Sequence, residues 1–581
     1  MVSSMLSSGG SRASGNGKSL IQAKHAFFQQ LICDNIRLMF GNPGTVEEGI
    51  LDTLADYPEI QYVMGLQEAA VTAMADAYAR ATKRPAFVQV HASVGLGNAM
   101  GILYQAKQCY TPLVVYAGET YGDLLDFYGF LGGDTVAIAK PVTKWSDRCN
   151  HGSQLLRNIR RAIKIAMTPP QGPVFLAIPM NVLEKEIEPD IQPTTIIDYQ
   201  SRPSHEVLID MADMLIAADS PMLFIGDGVH LSEGQQAVSQ LAHLLGAPMY
   251  GVDFGNLSAS FKDPLFLGIT GHLYGEETQK ITLRGDTLVA LGTPLFPELF
   301  PSHRPYFRDD AKVIQVGLND WDLAKNFPVD VALMAEPRSV AEALLAVITQ
   351  RADDRFHERA AERREQWIAE KQATHESKTI RFQQSFGKTP MSPQEAMKVV
   401  AEALPQDVVV FDEAITSTGY FIHYRQPSQL DNYYMFRGGC LGMGIPGAIG
   451  LKYAYPDKIS VALVGDGASL YTFQGLWTAA HYNHHVIYII CNNKTYRILK
   501  ANLIQYWERH GYEPRPFHNM DITQPEVDFV KLAESFGVKG WRATDPASLR
   551  AAILGALADP RPHLIDMHID GDVSTADKPL V

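Results

Sequence analysis

Two short polar motifs, each following an apolar segment, are the part of the chain best suited to chemistry. Gly465-Asp466-Gly467 follows KISVALV and Asn492-Asn493 follows HVIYIIC, with 24 residues of mostly helical pattern between the motifs. This order predicts a strand–turn–helix–strand unit with Asp466 and Asn493 at the carboxyl ends of neighbouring parallel strands, where open α/β sheets bind ligands. Carboxylate and amide oxygens suit Mg²⁺, and Gly467 lets a phosphate approach the backbone closely.

A second GDG motif provides an internal comparison. Gly226-Asp227-Gly228 also follows an apolar segment, but no asparagine pair follows it at a comparable spacing. A strand-end turn is therefore the expected structure at this copy. A lone GDG is a weak signal, and its coupling to the asparagine pair is the stronger one.

Composition narrows the class of protein. The length of 581 residues predicts about three to four domains, and the hydrophobic content of 46% is enough for large buried cores. No apolar run reaches the ~18 residues of a membrane span, and a net charge of -14 without a long basic run argues against a nucleic-acid partner. The five scattered cysteines form no CxxC pair, so we expect a reduced, cytoplasmic protein.

Strand-like and helical segments alternate throughout, which predicts an α/β fold of three doubly wound parallel-sheet domains. We expect the domains at residues 19–190, 203–350 and 389–575, with a charged helical linker at 351–388. The Ser/Gly-rich residues 1–18 lack the apolar core of a signal peptide. They are expected to form a disordered tail, a targeting segment being the alternative.

Beyond this tail, the chain resembles the thiamine-diphosphate-dependent decarboxylase and acetohydroxyacid synthase superfamily, and within it most resembles the benzoylformate decarboxylases. The resemblance is carried by the three-domain order, by GDG and NN in the last domain, and by the stretches FGNPGT, LQEAAVTAMADAYA, QVHASVGLGNAMG, APMY, GGCLGMGIPGAIG and GLWTAAHYN. It implies a pyrimidine-binding first domain, a middle domain and a diphosphate-binding third domain. The implied cofactors are thiamine diphosphate and Mg²⁺.

The resemblance implies that Glu68 acts in the first step of the reaction. Glu68 lies in the first turn of the predicted helix LQEAAVTAMADAYARAT, where an acid is often only a favourable charge at a helix N-terminus. In the superfamily, the glutamate of this motif bonds the aminopyrimidine ring. It thereby promotes formation of the thiazolium ylid, and the cofactor acts as the electron sink.

The resemblance also assigns the ligands of the metal and of the cofactor. Asp466, Asn493 and the backbone carbonyl of Thr495 would hold Mg²⁺, although a helix N-cap and a turn asparagine explain the first two singly. Leu441 would separate the two cofactor rings, and the carbonyl of Gly439 would accept a hydrogen bond from the 4′-amino group. The remaining implied cofactor contacts are Thr416, Gly467, Ala468, Ser469 and Tyr471.

The substrate side matches the family less completely. His91 in QVHASVG occupies the position of an active-site histidine, and Thr45 in GNPGT replaces a serine that contacts the substrate carboxylate. A second family histidine aligns with Leu299, and His303 lies nearby but out of register. This departure weakens the prediction of a full proton relay.

Two further residues are expected to line the substrate pocket. Leu499 keeps an apolar lining residue, whereas Asn502 stands where the family has an aromatic residue. The leading prediction is decarboxylation of a 2-oxo acid to an aldehyde through the ylid and an enamine. The alternatives are a carboligase or lyase acting on 2-hydroxy ketones, an acetolactate synthase-like enzyme, a flavin-requiring synthase or oxidase, and a non-catalytic cofactor-binding subunit.

The resemblance further implies how the chain assembles. In the superfamily the cofactor lies between the first domain of one subunit and the third domain of another. We therefore expect an active site shared across a homodimer, and a homotetramer as the usual form. The expected small-molecule partners are a 2-oxo acid and aldehydes or ketones.

Overall fold

The computed structural model of the protein describes residues 20–201 and 203–573, and the predicted tail at 1–18 lies outside them. Three parallel sheets of six strands each, covered by helices, confirm the predicted fold class. The apolar runs of the central strands explain this arrangement, because strands with helices on both faces are buried on both sides. Strands Leu113–Glu119, Val174–Pro179 and Val486–Asn492 are buried along their whole length.

The first domain contains a parallel sheet of order β3-β2-β4-β5-β7-β6 and a short antiparallel pair, β1 with β8. The first helix of this domain begins at Ala23, after the two-residue strand β1. The elements of this domain are β1 Ile21–Gln22, α1 Ala23–Cys33, β2 Leu38–Gly41, α2 Glu48–Thr53, β3 Gln61–Met64, α3 Glu68–Thr82, β4 Ala86–Val90, α4 Ala92–Gln108, β5 Leu113–Glu119, α5 Thr135–Ala139, β6 Trp145–Arg148, α6 Leu155–Met167, β7 Val174–Pro179, α7 Met180–Leu183 and β8 Glu186–Ile187.

The middle domain has the sheet order β11-β10-β9-β12-β13-β14. The predicted charged linker is a single helix of 30 residues, α13. The elements of the middle domain and linker are α8 His205–Ala217, β9 Pro221–Ile225, α9 Asp227–Leu231, α10 Gln235–Leu245, β10 Met249–Val252, β11 Phe266–Thr270, α11 Gly275–Thr282, β12 Thr287–Leu291, β13 Lys312–Gly317, β14 Val331–Met334, α12 Pro337–Arg351 and α13 Asp354–Gln383.

The third domain has the sheet order β16-β15-β17-β18-β20-β19. Its elements are α14 Pro393–Ala403, β15 Val409–Glu413, α15 Thr418–Arg425, β16 Tyr433–Met435, α16 Gly444–Ala454, β17 Ser460–Gly465, α17 Asp466–Ser469, α18 Gly475–His481, β18 Val486–Asn492, α19 Arg497–His510, α20 Phe529–Ser535, β19 Lys539–Ala543, α21 Pro546–Ala558 and β20 His563–His568.

Helices α3 and α16 bring the first and third domains of one chain together. A side-chain carbon at Gly450 of α16 would lie 2.0 Å from the backbone oxygen of Met74 in α3, so only glycine permits this approach. Thr478 and Tyr482 of the third domain also hydrogen-bond the backbone of Met64, at the end of β3. The strand end that precedes Glu68 is therefore held by the third domain of the same chain.

Buried polar contacts join all three domains. Arg80 of the first domain donates to the side chain of Asn256 in the middle domain and to the backbone oxygen of Met435 in the third. Arg437 of the third domain pairs with Asp227 and Asp253 of the middle domain. Because buried charges are tolerated only when they are paired, these contacts fix the relative placement of the domains.

Candidate active site

The three predicted catalytic residues of the first domain follow three adjacent strands of its sheet. Thr45 follows β2, Glu68 follows β3 and His91 follows β4, and these strands have the order β3-β2-β4. In an open parallel sheet, this edge is the one that binds ligands. The fold thus brings together residues that are widely separated in sequence.

Glu68 is the first residue of α3, but it does not cap that helix. The N-cap is Gln67, whose side chain accepts from the backbone nitrogen of Ala70 at 3.0 Å. The Glu68 carboxylate points instead to α4, where it accepts from Asn98 Nδ2 at 3.0 Å and lies beside Gly95. Glu68 is 6% exposed. An acid that served only as a favourable charge at the helix N-terminus would not need this contact with α4.

His91 is held by a buried carboxylate that the sequence interpretation did not identify. His91 Nδ1 lies 2.8 Å from Glu47 Oε2, and Glu47 also accepts from the backbone nitrogen of Gly118 at 2.8 Å. Burial raises the pKa of Glu47, and the bonds from His91 and the backbone oppose this rise. A side-chain carbon at Gly44 would lie 1.9 Å from His91 Nδ1, so glycine makes room for the imidazole.

Thr45 shares a short helical turn with Glu47. The turn Thr45–Glu47 follows Gly44, and the Thr45 side chain is exposed while Glu47 is buried. Thr45 and His91 therefore lie at the same strand-end region, joined through Gly44 and Glu47. The motif GNPGT signalled the turn, but nothing in the spacing signalled the bond between Glu47 and His91.

A loop with exposed aromatic side chains borders the first turn of α4. Ser93 Oγ donates to the backbone oxygen of Leu131 at 3.0 Å, which anchors the loop near His91. In this loop Phe127, Tyr128 and Phe130 are strongly exposed, Phe130 to 93%. Exposed aromatic clusters of this kind mark ligand or protein contact surfaces.

The third domain also presents its predicted residues on adjacent strand ends. Asp466 follows β17 and Asn493 follows β18, and these strands pair with Gly465 opposite Cys491. Asp466 Oδ2 accepts from the backbone nitrogen of Lys494 at 2.6 Å, which places it against the segment between Asn493 and Thr495. The predicted metal ligands are thus neighbours.

The environment of Asp466 fits a divalent cation. Its hydrogen-bond partners are the backbone nitrogens of Gly467 and Lys494, and no cationic side chain among residues 20–201 and 203–573 pairs with it. Burial raises the pKa of this carboxyl to about 6. A buried carboxylate without a counter-charge is costly, and Mg²⁺ beside the oxygens of Asn493 and Thr495 would supply that charge.

The loop that carries Gly439 and Leu441 is held by a second buried carboxylate. Glu413, the last residue of β15, accepts from the backbone nitrogens of Gly442, Met443 and Gly444 at 2.7 to 3.2 Å. Burial raises the pKa of Glu413 to about 7, although these three bonds lower it. Glu413 was not identified from the sequence, because its partners lie about thirty residues away along the chain.

Within this loop, Gly439 is exposed and Leu441 is half-buried. Gly439 and Gly442 have φ of +78° and +96°, in the region that favours glycine. Glycines therefore stand close to Leu441 on both sides, at positions 439 and 442. This geometry is compatible with the predicted contacts to the cofactor rings.

The remaining predicted cofactor residues differ in exposure. Thr416 lies in the turn Ile415–Ser417 and is buried. Ala468 and Ser469 are also buried, and Ser469 Oγ donates to the backbone oxygen of Asp466 at 2.7 Å. Tyr471 is 56% exposed. These roles stay predictions.

Gly467 has a packing role in addition to the predicted approach of a phosphate. A side-chain carbon at this position would lie 2.7 Å from the ring of Tyr496. Any larger residue would therefore push the Tyr496 ring away. This packing disfavours a larger residue at position 467 whether or not a phosphate is bound.

The two predicted pocket residues lie on α19 near the middle domain. Leu499 is exposed, whereas Asn502 Oδ1 accepts from Tyr274 of the middle domain at 2.8 Å. Arg509, also on α19, lies over the rings of Tyr274 and Phe300. Helix α19 is thereby fixed against the middle domain.

The residues at and near the position of the second family histidine are accessible. Leu299 is 66% exposed, and His303 is also exposed. Leu299 immediately precedes Phe300, so it lies close to α19. The side chain at this position is apolar and cannot transfer a proton.

The two GDG copies have different partners, although each begins a short helix, α9 or α17, where only a strand-end turn was expected for the second copy. Asp227 of the second copy accepts from the backbone nitrogen of Asn256 at 2.8 Å and pairs with Arg437. Its carboxylate therefore already has a cationic partner, whereas Asp466 has none in the described part of the chain. The second copy holds domains together at a strand end.

Two further features of the described residues concern metal clusters and membrane spans. Within the ranges 20–201 and 203–573, no three His, Cys, Asp or Glu side chains group as a metal site would require. The predicted Mg²⁺ site has one carboxylate and lies outside that pattern. None of the helices described is both long and apolar enough to cross a membrane.

Comparison with family models identifies three consecutive matches. Residues 21–131 match the N-terminal TPP binding domain of thiamine pyrophosphate enzymes, residues 208–344 match their central domain, and residues 414–567 match their C-terminal TPP binding domain. Each matched segment contains most of the strands of one six-stranded sheet. Enzymes of this family use thiamine diphosphate together with Mg²⁺.

Individual relatives are similar over nearly the whole chain. Benzoylformate decarboxylase of Pseudomonas aeruginosa is 27% identical, covering 93% of this chain and 98% of that protein. A probable acetolactate synthase large subunit of Methanococcus aeolicus is 26% identical, covering 94% and 91%. The solved structure of a 4-hydroxybenzoylformate decarboxylase of Rhodococcus jostii has a TM-score of 0.82 at 26% identity, covering 95% of this chain and all of that one. The chain therefore belongs to the thiamine-diphosphate-dependent decarboxylase and acetohydroxyacid synthase superfamily, an enzyme class with lyase or carboligase activity.

Proposed function

We propose that this protein decarboxylates a 2-oxo acid and releases the corresponding aldehyde. The observation that carries this proposal is the bond between His91 and the buried Glu47, beside the strand end that presents Glu68. Decarboxylation to an aldehyde needs a proton delivered to the carbon that loses CO₂. An imidazole oriented by a carboxylate is well suited to deliver it.

The residues of this chain contribute at two ends of the site: one end transfers protons and the other binds the cofactor. Bound thiamine diphosphate supplies the nucleophilic carbon and takes up the electron pair released with CO₂. Asn98 donates to Glu68 Oε2 and fixes the carboxylate, so that Oε1 is left to exchange a proton with the cofactor. Glu47 fixes His91 at Nδ1, so that Nε2 is left to transfer a proton to the substrate.

The other end of the site anchors the cofactor. Asp466, Asn493 and Thr495 would hold Mg²⁺ through oxygen atoms, and the metal would bind the diphosphate. Glu413 holds the loop of Gly439 and Leu441 through three backbone bonds. A loop restrained in this way needs little reorganisation when the cofactor binds.

The substrate we favour carries an apolar or aromatic side group. The support is the loop of Phe127, Tyr128 and Phe130, anchored by Ser93 two residues after His91. Aromatic side chains provide flat apolar contact area. Relatives named benzoylformate decarboxylase and 4-hydroxybenzoylformate decarboxylase act on aromatic 2-oxo acids.

We also propose that the site is completed by a second copy of the chain. Glu68 contacts Asn98 and Gly95 of the first domain, whereas Asp466 contacts Gly467 and Lys494 of the third. Mixing E68Q and D466A subunits tests this arrangement. Hybrid dimers would regain one intact site, and random mixing would restore about one quarter of the sites. A site built within one chain would regain nothing.

Carboligation is the second candidate, and one observation favours it. Leu299, at the position of the second family histidine, is exposed and apolar. Slower protonation would leave the reactive carbon available to a second carbonyl compound. The acetolactate synthase relatives are similar over as much of the chain as the decarboxylase.

The deciding experiment supplies the protein with thiamine diphosphate, Mg²⁺ and a panel of 2-oxo acids, alone and with acceptor aldehydes. We expect CO₂ and an aldehyde from an aromatic 2-oxo acid. Products that join two carbonyl compounds, formed in preference to aldehyde, would select carboligation. Failure to release CO₂ from any 2-oxo acid, despite bound cofactor, would refute the decarboxylase, and failure to join carbonyl compounds as well would refute carboligation.

The variant H91A separates the two candidates further, with H205A as the matched control because His205 is exposed in the first turn of α8 and is none of the predicted site residues. We expect H91A to slow aldehyde release by about 100-fold, the usual range for loss of a general acid, and to slow carboligation much less. Equal losses in both reactions would remove the proton-transfer role of His91.

A further inference from the structure

A histidine–aspartate pair lies at the carboxyl edge of the middle-domain sheet. Asp253 follows β10 and His272 follows β11, and these two strands are neighbours. His272 Nδ1 lies 2.6 Å from Asp253 Oδ1. In an open parallel sheet this is the edge that binds ligands. His272 therefore stands at a position suited to a ligand, outside the residues assigned to the site above.

The pair has the same form as the bond between His91 and Glu47, because a carboxylate holds the imidazole at Nδ1 in both. Nε2 of His272 has no hydrogen-bond partner among the described residues, and the His272 side chain is 26% exposed. Burial would raise the pKa of Asp253, but the bond with His272 and the charge of Arg437 hold it below its ordinary value. An ionised carboxylate therefore orients an accessible imidazole.

The backbone of His272 is joined to the position of the second family histidine. The backbone nitrogen of Leu299 donates to the backbone oxygen of His272 at 3.3 Å, and that of Phe300 donates to Leu273 at 2.8 Å. The two segments therefore run side by side. An imidazole is present beside position 299, although the side chain at that position is apolar.

The same segment reaches helix α19, which carries the two predicted pocket residues. The ring of Tyr274 stacks on Phe300 at 5.3 Å with an interplanar angle of 14°, and the Tyr274 hydroxyl donates to Asn502 Oδ1 at 2.8 Å. Tyr274 lies only two residues after His272. The turn that carries His272 is therefore attached to the predicted substrate pocket.

The imidazole ring itself lies toward the loop that is predicted to contact the cofactor. The rings of His272 and Phe254 lie 4.4 Å apart, and the ring of Phe254 lies 6.3 Å from that of Phe436. Phe436 belongs to the third domain and precedes Gly439 by three residues. Predicted contacts of the substrate and of the cofactor therefore border His272 on two sides.

An aspartate in a turn often serves only to fix the backbone through local hydrogen bonds, and Asp253 does accept from the backbone nitrogen of Phe254 at 2.7 Å. The turns after β10 and β11 are nevertheless joined without the imidazole, because the backbone nitrogen of Asp253 donates to the backbone oxygen of Thr270 at 2.7 Å. A purely structural pair would also not need an accessible ring. The arrangement therefore favours a role for His272 in chemistry.

We propose that His272 is a second proton-transfer residue of the active site and acts on the keto oxygen of the 2-oxo acid. This inference rests on the proposed function, in which the keto carbon bonds the nucleophilic carbon of the cofactor. As that bond forms, the carbonyl electron pair moves onto the oxygen, and the imidazolium of His272 gives the oxygen a proton from Nε2.

The same proton returns when the product forms. The bond to the cofactor carbon then breaks, the oxygen re-forms its carbonyl double bond, and Nε2 of His272 takes the proton back. His272 therefore ends the cycle as it began. The proton that replaces CO₂ on the carbon is a separate one and comes from His91.

The first test compares H272Q with H205Q, its matched control, because His205 is exposed on α8 and outside the site. The oxygen must gain and lose its proton in aldehyde release and in carboligation. We therefore expect H272Q to lower kcat of both reactions by about 100-fold, unlike H91A. KM, melting temperature and affinity for thiamine diphosphate should stay near those of H205Q, because the interaction belongs to the transition state.

Added imidazole provides a readout that a structural role would not move. H272A should recover part of its lost rate when imidazole is supplied in solution, whereas H205A should not respond. Rates of H272Q equal to those of H205Q would overturn the proposal. A loss of rate in H272A that imidazole leaves unchanged would also overturn it.

A second test needs neither a variant nor turnover. Diethyl pyrocarbonate acylates accessible imidazoles, and mass spectrometry identifies the modified histidines. In the holoenzyme we expect His272 to react, and to react about tenfold more slowly when mandelate or lactate is present at about ten times its Kd. These 2-hydroxy acids resemble aromatic and small 2-oxo acids but have no keto group. His205 should react equally in all samples.

This second test separates failure of the present proposal from failure of the proposed function. Acylation of His272 that neither acid slows, or absence of its acylation, overturns the proposal even when the wild type releases aldehyde. A wild type that releases no CO₂ from any 2-oxo acid refutes the proposed function. Protection of His272 in that protein would still support its place in the site.

Discussion

Replacing Gly95 with alanine should inactivate the enzyme without destabilising it. The new methyl carbon would lie 2.6 Å from Glu68 Oε1, whereas ordinary contacts begin at 3.4 Å. The carboxylate must therefore retreat by about 0.8 Å, and it can do so because it ends a flexible side chain. A misplacement of about 1 Å at a reacting group costs on the order of 100-fold in rate. We expect a loss of that size in kcat.

Gly97 on the same helix provides the matched control. A side-chain carbon there meets nothing within 4 Å. Alanine is favoured over glycine in a helix interior by about 1 kcal/mol, so both variants should melt at or above the temperature of wild type. Only G95A should lose activity.

The assay is aldehyde release by cofactor-saturated protein, with thermal melting and bound thiamine diphosphate measured on the same samples. A G95A variant with a kcat near wild type would show that the position of Glu68 does not govern the reaction. Equal losses in G95A and G97A would show that the effect belongs to the helix. Either result would refute the placement of the catalytic carboxylate beside α4.

Three other perturbations are expected to have measurable effects. E47Q should lower kcat toward the level of H91A and shift the pH–rate profile, because the amide cannot hold the imidazolium; an unchanged profile would contradict the pairing of Glu47 with His91. D466A should lose Mg²⁺ and thiamine diphosphate together, as measured by calorimetry. Retention of both would show that Asp466 is not a ligand of the metal. Glu413 holds a proton between its ordinary pKa of 4.5 and about 7, where the unfolded chain has released it. Its contribution to stability is therefore complete below pH 4.5 and falls by about 3 kcal/mol as the pH rises through 7. The melting temperature of wild type relative to E413Q should fall from pH 5 to pH 8, and parallel curves would contradict the shift.

The sequence predicted the parts of this fold that depend on local pattern. The GDG and NN motifs indicated the ends of β17 and β18 because each follows an apolar strand, and the charged run predicted α13. The segment between the two motifs contains less helix than its residue pattern predicted, because α18 covers only Gly475–His481. Strand ends and long amphipathic helices are predictable because their signals lie within a few neighbouring residues.

The supporting carboxylates could not be predicted in this way. Glu47 bonds His91 across 44 positions, and Glu413 bonds backbone groups 29 to 31 positions away. Such contacts arise only when adjacent strands bring distant turns together, and no spacing rule records them.

The paired charges between the domains have a consequence for protein engineering. Arg437 relies on carboxylates of the middle domain, and Arg80 relies on Asn256. A chimaera that takes its middle domain from a relative would leave an unbalanced guanidinium in a dry interface unless the matching side chains came with it. Exchange of modules in this architecture should therefore succeed only when the interdomain charge set is transplanted as a unit.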